Sequence, residues 1–148
     1  MGTRSITVMR RDEEEIAVLY SQFDGYPSWH GRALFECLGL RDVVNGYQDE
    51  SQINGAGDMA VQVISFLKKQ YTENRTAGPV PINSAGCFYL KPAGSRDVGE
   101  EYVYTLSCMT SPRRIMVDVV GHGERLFSGS MTHFGIWLDE WAQRDEEG

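Results

Sequence analysis

Cysteine is scarce in this chain and shows no pattern. Cys37, Cys87 and Cys108 are odd in number and lack any C-x-x-C spacing, so neither a zinc site nor a disulfide framework is indicated. Each sits in an apolar segment and reads as a small buried hydrophobe in a reducing compartment. Histidine is equally sparse. His30, His122 and His133 have no i, i+4 partner and no carboxylate at metal-ligand spacing, so no metal and no cofactor is expected. There is no Gly-x-Ser-x-Gly elbow, no Walker pattern and no Cys beside a recognisable His motif, which leaves nucleophilic catalysis without a positive signal. No apolar run approaches the roughly 18 residues of a membrane span, and Met1-Gly2-Thr3-Arg4-Ser5 is not followed by the apolar stretch of a signal peptide. Ile6 at the sixth position breaks the myristoylation motif. A cytoplasmic protein without a membrane partner is the expectation. Cations are few as well: 14 Lys and Arg against 21 Asp and Glu give a net charge of −7. That argues against a nucleic-acid surface, because phosphate binding needs clustered Lys and Arg.

What is present is an ordinary soluble composition, 41% hydrophobic and 24% charged over 148 residues, enough for one domain, 1–148, with its own core. Ser5 to Met9 alternates, with Ile6 and Val8 on one side and Thr7 on the other. The charged run Arg10 to Glu15 then reads as a solvated hairpin tip, and Ile16 to Phe23 as the returning strand. In that register Thr3-Arg4-Ser5 comes back beside Gln22 and Asp24. After Gly25 and Pro27 have turned the chain, Ser28 is positioned to cap a helix reaching about Leu38, with Ala33, Leu34, Cys37 and Leu38 on its buried side and Gly39 as its stop. Leu40 to Ile53 reads as a long loop. The clearest helix runs from Met59 to about Tyr71, striped by Ala60, Val63, Ile64, Leu67 and Tyr71. Thr72 to Ala85 reads as a surface loop and is followed by strands around Cys87 to Leu90, Glu101 to Cys108, Arg114 to Val120 and Arg125 to Phe127. A last helix, capped by Ser130, carries Met131, Phe134, Leu138 and Trp141 on one face, and residues 144–148 form a frayed tail. The class is α+β: an antiparallel sheet of about five or six strands with three helices mainly on one face.

Two stretches carry candidate chemistry. Asn54-Gly55-Ala56-Gly57 precedes a helix but lacks the preceding strand and third glycine of a dinucleotide fingerprint, and Asp58 at the N-cap position would occupy the amides an anion needs. A capping turn and an anion site remain as its two readings. The second stretch, Tyr20 to Gly31, gathers four aromatics, Asp24, His30, two glycines and a proline. If the turn folds back, Asp24 and His30 form a carboxylate–imidazole pair. Equally, Asp24 bonds backbone amides, Tyr26 and Trp29 pack, and His30 satisfies a carbonyl.

The opening Met1-Gly2-Thr3-Arg4-Ser5, the segment Tyr20-Ser21-Gln22-Phe23-Asp24-Gly25-Tyr26-Pro27 with His30-Gly31, the Asn54-Gly55-Ala56-Gly57 helix entry and Glu100-Glu101-Tyr102-Val103-Tyr104 together resemble a family of small uncharacterised proteins of bacteriophages, prophages and bacteria. The resemblance implies a phage-type context, in which small acidic cytoplasmic proteins often counter host defences. Three readings of function follow. In the first, Arg4, Gln22, Asp24, Tyr26 and His30 line a pocket for a small polar or anionic, nucleotide-like ligand, such as a host-defence signal. In the second, an acidic surface inhibits a host enzyme in the manner of an anti-CRISPR protein, and the Asp24 turn is structural. In the third, Asp24 and His30 work as acid–base partners of an enzyme. A homo-oligomer is compatible with all three.

Overall fold

A computed structural model of the chain describes residues 3–46, 49, 51–74 and 88–147. It is α+β, and its centre is a six-stranded sheet in the order β5-β2-β1-β6-β7-β8. β1 (Ser5–Arg11) and β2 (Glu14–Ser21) form the expected hairpin, with Ser5 opposite Ser21. The hairpin tip is not merely solvated. Asp12 adopts φ 52°, a left-handed conformation that a short polar side chain tolerates. Its carboxylate accepts hydrogen bonds from the Thr110 amide (3.0 Å) and hydroxyl (2.9 Å), which hold its pKa below the usual carboxylate range.

The meander β6 (Tyr102–Thr110), β7 (Arg113–Gly121) and β8 (Glu124–Ser130) is antiparallel, as its turn spacing implies. Every neighbouring pair in the sheet is antiparallel except β1 and β6, which run parallel with Ser5 opposite Tyr102, so the sheet is mixed. β5 (Phe88–Lys91) pairs with β2 at the edge rather than joining the meander. Two short strands, β3 (Val43–Val44) and β4 (Ile53–Asn54), pair in parallel within the stretch expected to be a loop.

The helices are α1 (Arg32–Leu38), entered through a wide, π-type turn at Pro27–Gly31, then α2 (Gly55–Asn74) and α3 (Met131–Glu147). They bury the faces their periodicity dictates: Ala33, Leu34, Cys37 and Leu38 on α1; Met59, Ala60, Val63 and Leu67 on α2; Met131, Phe134, Trp137 and Leu138 on α3. Each fully buried Leu, Met or Phe contributes about 2 kcal/mol. α1 and α3 lie close because glycine stands at both contacts. A Cβ on Gly31 would come within 2.9 Å of Leu138, and one on Gly135 within 2.6 Å of Phe35. The Ser130 hydroxyl accepts from the His133 amide at 3.3 Å and caps α3 as expected.

Several boundaries move. Tyr26, not Ser28, is the last extended residue before the first helical turn, because Pro27, preset in φ and lacking an amide hydrogen, suits the first helical position. α2 begins at Gly55, one turn before Met59. Asp58 is therefore not its N-cap but reaches back from the first turn to accept the Asn54 amide at 2.8 Å. α3 stays helical to Glu147, through the tail expected to fray. The loop expected over Thr72 to Ala85 is helical at its start, since α2 runs on to Asn74, and from residue 75 it lies, with Cys87, outside the described residues. Among those described, no helix is long and apolar enough to cross a membrane.

The larger core lies between the sheet and the helices. A smaller one, Ile6, Val8, Val18 and Tyr20 with Val98 and Val103, lies on the opposite face. This assigns the faces of β1 in an order its composition does not suggest. The side carrying Ser5, Thr7 and Met9 faces the helices, and the purely aliphatic side faces the smaller cluster.

Candidate functional site

The β2–α1 connection is built around two constrained residues. Asp24 has φ 57°, uncommon for any residue but glycine and tolerated best by Asn and Asp. Gly25 follows because nothing larger fits: a Cβ there would stand 2.6 Å from the Ser5 Cβ and 2.9 Å from the Thr3 carbonyl oxygen. Its amide donates to that Thr3 oxygen at 2.8 Å, and its own carbonyl accepts the buried Tyr104 hydroxyl at 2.7 Å. The turn is thus pinned from β1 and from β6 at once. Tyr26 is extended, as a residue before proline prefers, and its carbonyl accepts the amides of Trp29 (3.1 Å) and His30 (3.0 Å).

His30 is drawn into the core, 4% exposed. Its Nε2 and the Thr7 hydroxyl are 2.7 Å apart, and its ring lies 4.9 Å from that of Tyr104. Burial alone lowers its pKa to about 4, so the imidazole is neutral at pH 7. Burial likewise raises the Tyr104 phenol well above its ordinary value, with Tyr102 adding to the effect. Beside them the hydroxyls of Ser5 and Ser21, facing each other across the hairpin, are fully buried and have no hydrogen-bond partner among the described residues.

The residues singled out in the sequence therefore divide. His30 is an internal strut, and among the described residues its imidazole has no bond with Asp24; its polar contact is Thr7. Tyr26 is half-buried and packs against the main core. Gln22, also half-buried, accepts the Tyr20 hydroxyl at 2.7 Å. Arg4 is exposed; its main chain pairs with Glu101 (Glu101 amide to Arg4 carbonyl, 2.9 Å) and its side chain lies against Gly99. Asp24 is half-buried, with no hydrogen bond or ion pair to its carboxylate among the described residues. The Gly25–Thr3 bond sets Arg4 and Asp24 next to a bonded pair on adjoining segments.

Thr7 and Tyr104, which hold the turn from beneath, do not stand out in the sequence. The signal for Thr7 lies in strand alternation, which places it on the face of Met9. For Tyr104 it lies only in the parallel β1–β6 pairing, which no local pattern announces. Among the described residues no group of three or more His, Cys, Asp or Glu side chains is placed to hold a metal ion. Compared with protein-family models, curated proteins and solved structures, the chain matches none.

Proposed function

We propose that this is a binding protein that holds a small polar or anionic, nucleotide-like ligand at the β2–α1 turn. The observation that carries this reading is Asp24: a half-buried carboxylate with no partner among the described residues, presented by a left-handed backbone that Gly25, Thr3 and Tyr104 hold rigidly. Conformations of this kind persist where the surrounding structure over-determines them, and they concentrate at ligand sites. Asp24 accepts ligand donors, the Arg4 guanidinium supplies positive charge, and the Gln22 amide group retains its donors once its oxygen has accepted Tyr20. His30 positions the turn rather than touching the ligand, which separates this reading from acid–base catalysis. The phage-type resemblance makes a host-defence signal the natural occupant.

The test is a thermal-shift screen with cyclic and linear nucleotides and related metabolites. The expected result is a rise in Tm with one ligand class that Asp24→Asn abolishes while remaining folded. A screen in which no compound stabilises the native protein would remove the reading.

One observation favours a second reading, inhibition of a host protein. Phe23 is 38% and Trp29 51% exposed at the same turn, and exposed aromatic residues are typical anchors of protein interfaces. Pull-down from host lysate, with Trp29→Ala as the control, distinguishes the two. A partner lost with Trp29→Ala supports inhibition, and recovery of the bait alone opposes it.

A further inference from the structure

At the opposite end of the sheet the same strands open onto a cleft of about 290 Å³. Strand register explains its lining. Arg11 stands opposite Cys108 across the β1–β6 pair, and Arg113 opposite Thr110 across β6–β7. Cys108 and Thr110 are two residues apart and so share a face, and Cys108 belongs to the core beneath the helices. Both arginines are therefore carried on the helix side, and both line the cleft together with Thr110, Val43, Asn45 and Ala56.

The charges around it are unequal in their commitments. Arg11 pairs with Glu14 at 3.0 Å, with both side chains well exposed; a pair of this kind adds little and exchanges readily. Asp12 is turned onto the Thr110 amide and hydroxyl, and Asp58 onto the Asn54 amide and Gln62. Arg113 is exposed and has no partner among the described residues. In a chain of net charge −7, two guanidinium groups thus line one cleft beside an apolar wall, and that of Arg113 has no partner among the described residues. The guanidinium forks carry the argument, because they match the geometry of a phosphate.

We propose that this cleft is a second site, separate from the turn, which binds a small phosphate monoester of the nucleoside monophosphate class. Arg11 and Arg113 hold the phosphate, and the Val43 and Ala56 side of the cleft takes the body of the ligand. The volume lies just under the roughly 300–1,000 Å³ usual for ligand pockets, which restricts the site to a small monomeric ligand. The acidic remainder of the surface repels an extended polyanion.

The test is an amide-resolved NMR titration of the full chain with inorganic phosphate, with adenosine and uridine monophosphates, and with the two nucleosides. The amides of Ala56, Thr110 and Arg113 should move and saturate with the monophosphates, respond more weakly to phosphate, and ignore the nucleosides. Arg113→Gln should weaken binding about 10-fold, as expected for one charge-assisted contact, with Tm unchanged, and Arg11→Gln should act in the same direction. No movement of these amides up to about 10 mM monophosphate, a Kd range too weak to matter in a cell, would overturn the site. So would equal binding by Arg113→Gln, or shifts confined to Asp24 and Tyr26. Phosphate binding with no gain from the nucleoside would overturn the ligand class.

Discussion

Where β1 begins, the polar groups are buried and mostly bonded to one another: His30 to Thr7, Tyr104 to Gly25, the Gly25 amide to Thr3. Where β1 ends, they are exposed and charged, with Arg11 in a loose surface pair and Arg113 unpaired among the described residues. The two ends share β1 and β6, so the contrast does not come from the sheet. It comes from what packs over each end. The π-type turn closes over the first, while the short β3–β4 ribbon and the start of α2 stand off from the second and leave a cleft. A substitution among the buried groups of the first end should therefore act on folding, and one among the exposed charges of the second on binding.

The largest effect should come from Gly25→Ala. The added methyl meets a backbone oxygen and a strand side chain that cannot both withdraw, and overpacking of this severity costs about 3 kcal/mol or more. Urea denaturation would show it as a fall in midpoint at unchanged slope; a stable Gly25→Ala protein would mean that the turn is not pinned.

Next is a pH effect of nearly the same size. Folded His30 has a pKa of about 4 against an ordinary 6.5, so between those values the unfolded chain binds the extra proton. Stability contributed by the neutral imidazole is fully present above pH 6.5, is lost as pH falls towards 4, and amounts to about 3 kcal/mol over the window. Between pH 6.5 and 5, above the carboxylate range, the loss should vanish in His30→Gln. A native protein equally stable at both pH values would break the comparison, since His30 would then have to be accessible to solvent.

Tyr104→Phe leaves the Gly25 carbonyl without its buried donor and should cost about 1–2 kcal/mol, measurable in the same denaturation series. Asp24→Asn should cost less than about 1 kcal/mol, because Asn tolerates the left-handed conformation nearly as well as Asp, while the ligand-induced rise in Tm disappears. Smallest of all, Arg113→Gln should leave stability within about 0.5 kcal/mol, as for other surface positions. If Arg113→Gln proved as destabilising as Tyr104→Phe, the two ends would not differ in kind.

Much of the first end is legible in the amino-acid sequence. Alternation in Ser5–Met9 and Ile16–Phe23, with charge between them, gives the hairpin and brings Thr3 and Arg4 beside Gln22 and Asp24, because period and pairing are local properties. Gly25 and Pro27 announce a turn for the same reason. His30 is harder. Its type and its place in the first helical turn suggest solvent and an anion, whereas its environment is set by Thr7, 23 residues away, and Tyr104, 74 residues away. The cleft is only hinted at in Asn54-Gly55-Ala56-Gly57. Its arginines come from two strands that share a face only through β6, and no spacing along the chain encodes that.

By itself, then, the amino-acid sequence determined the α+β class, the β1–β2 hairpin, the β6–β7–β8 meander and the apolar faces of all three helices, since each follows from a period of two or of 3.6 and from capping chemistry within a few residues. Tertiary structure alone decided the parallel pairing of β1 with β6, the placement of β5 at the edge and which face of β1 meets the helices. The aliphatic Ile6 and Val8 would have been the natural choice for the larger core. The chain instead turns Ser5, Thr7 and Met9 towards it, because Gly25 can approach only over Ser5 and His30 needs Thr7 beneath it. Burying an imidazole requires a hydrogen-bond partner at the point of burial, and that requirement is met by residues distant in the chain.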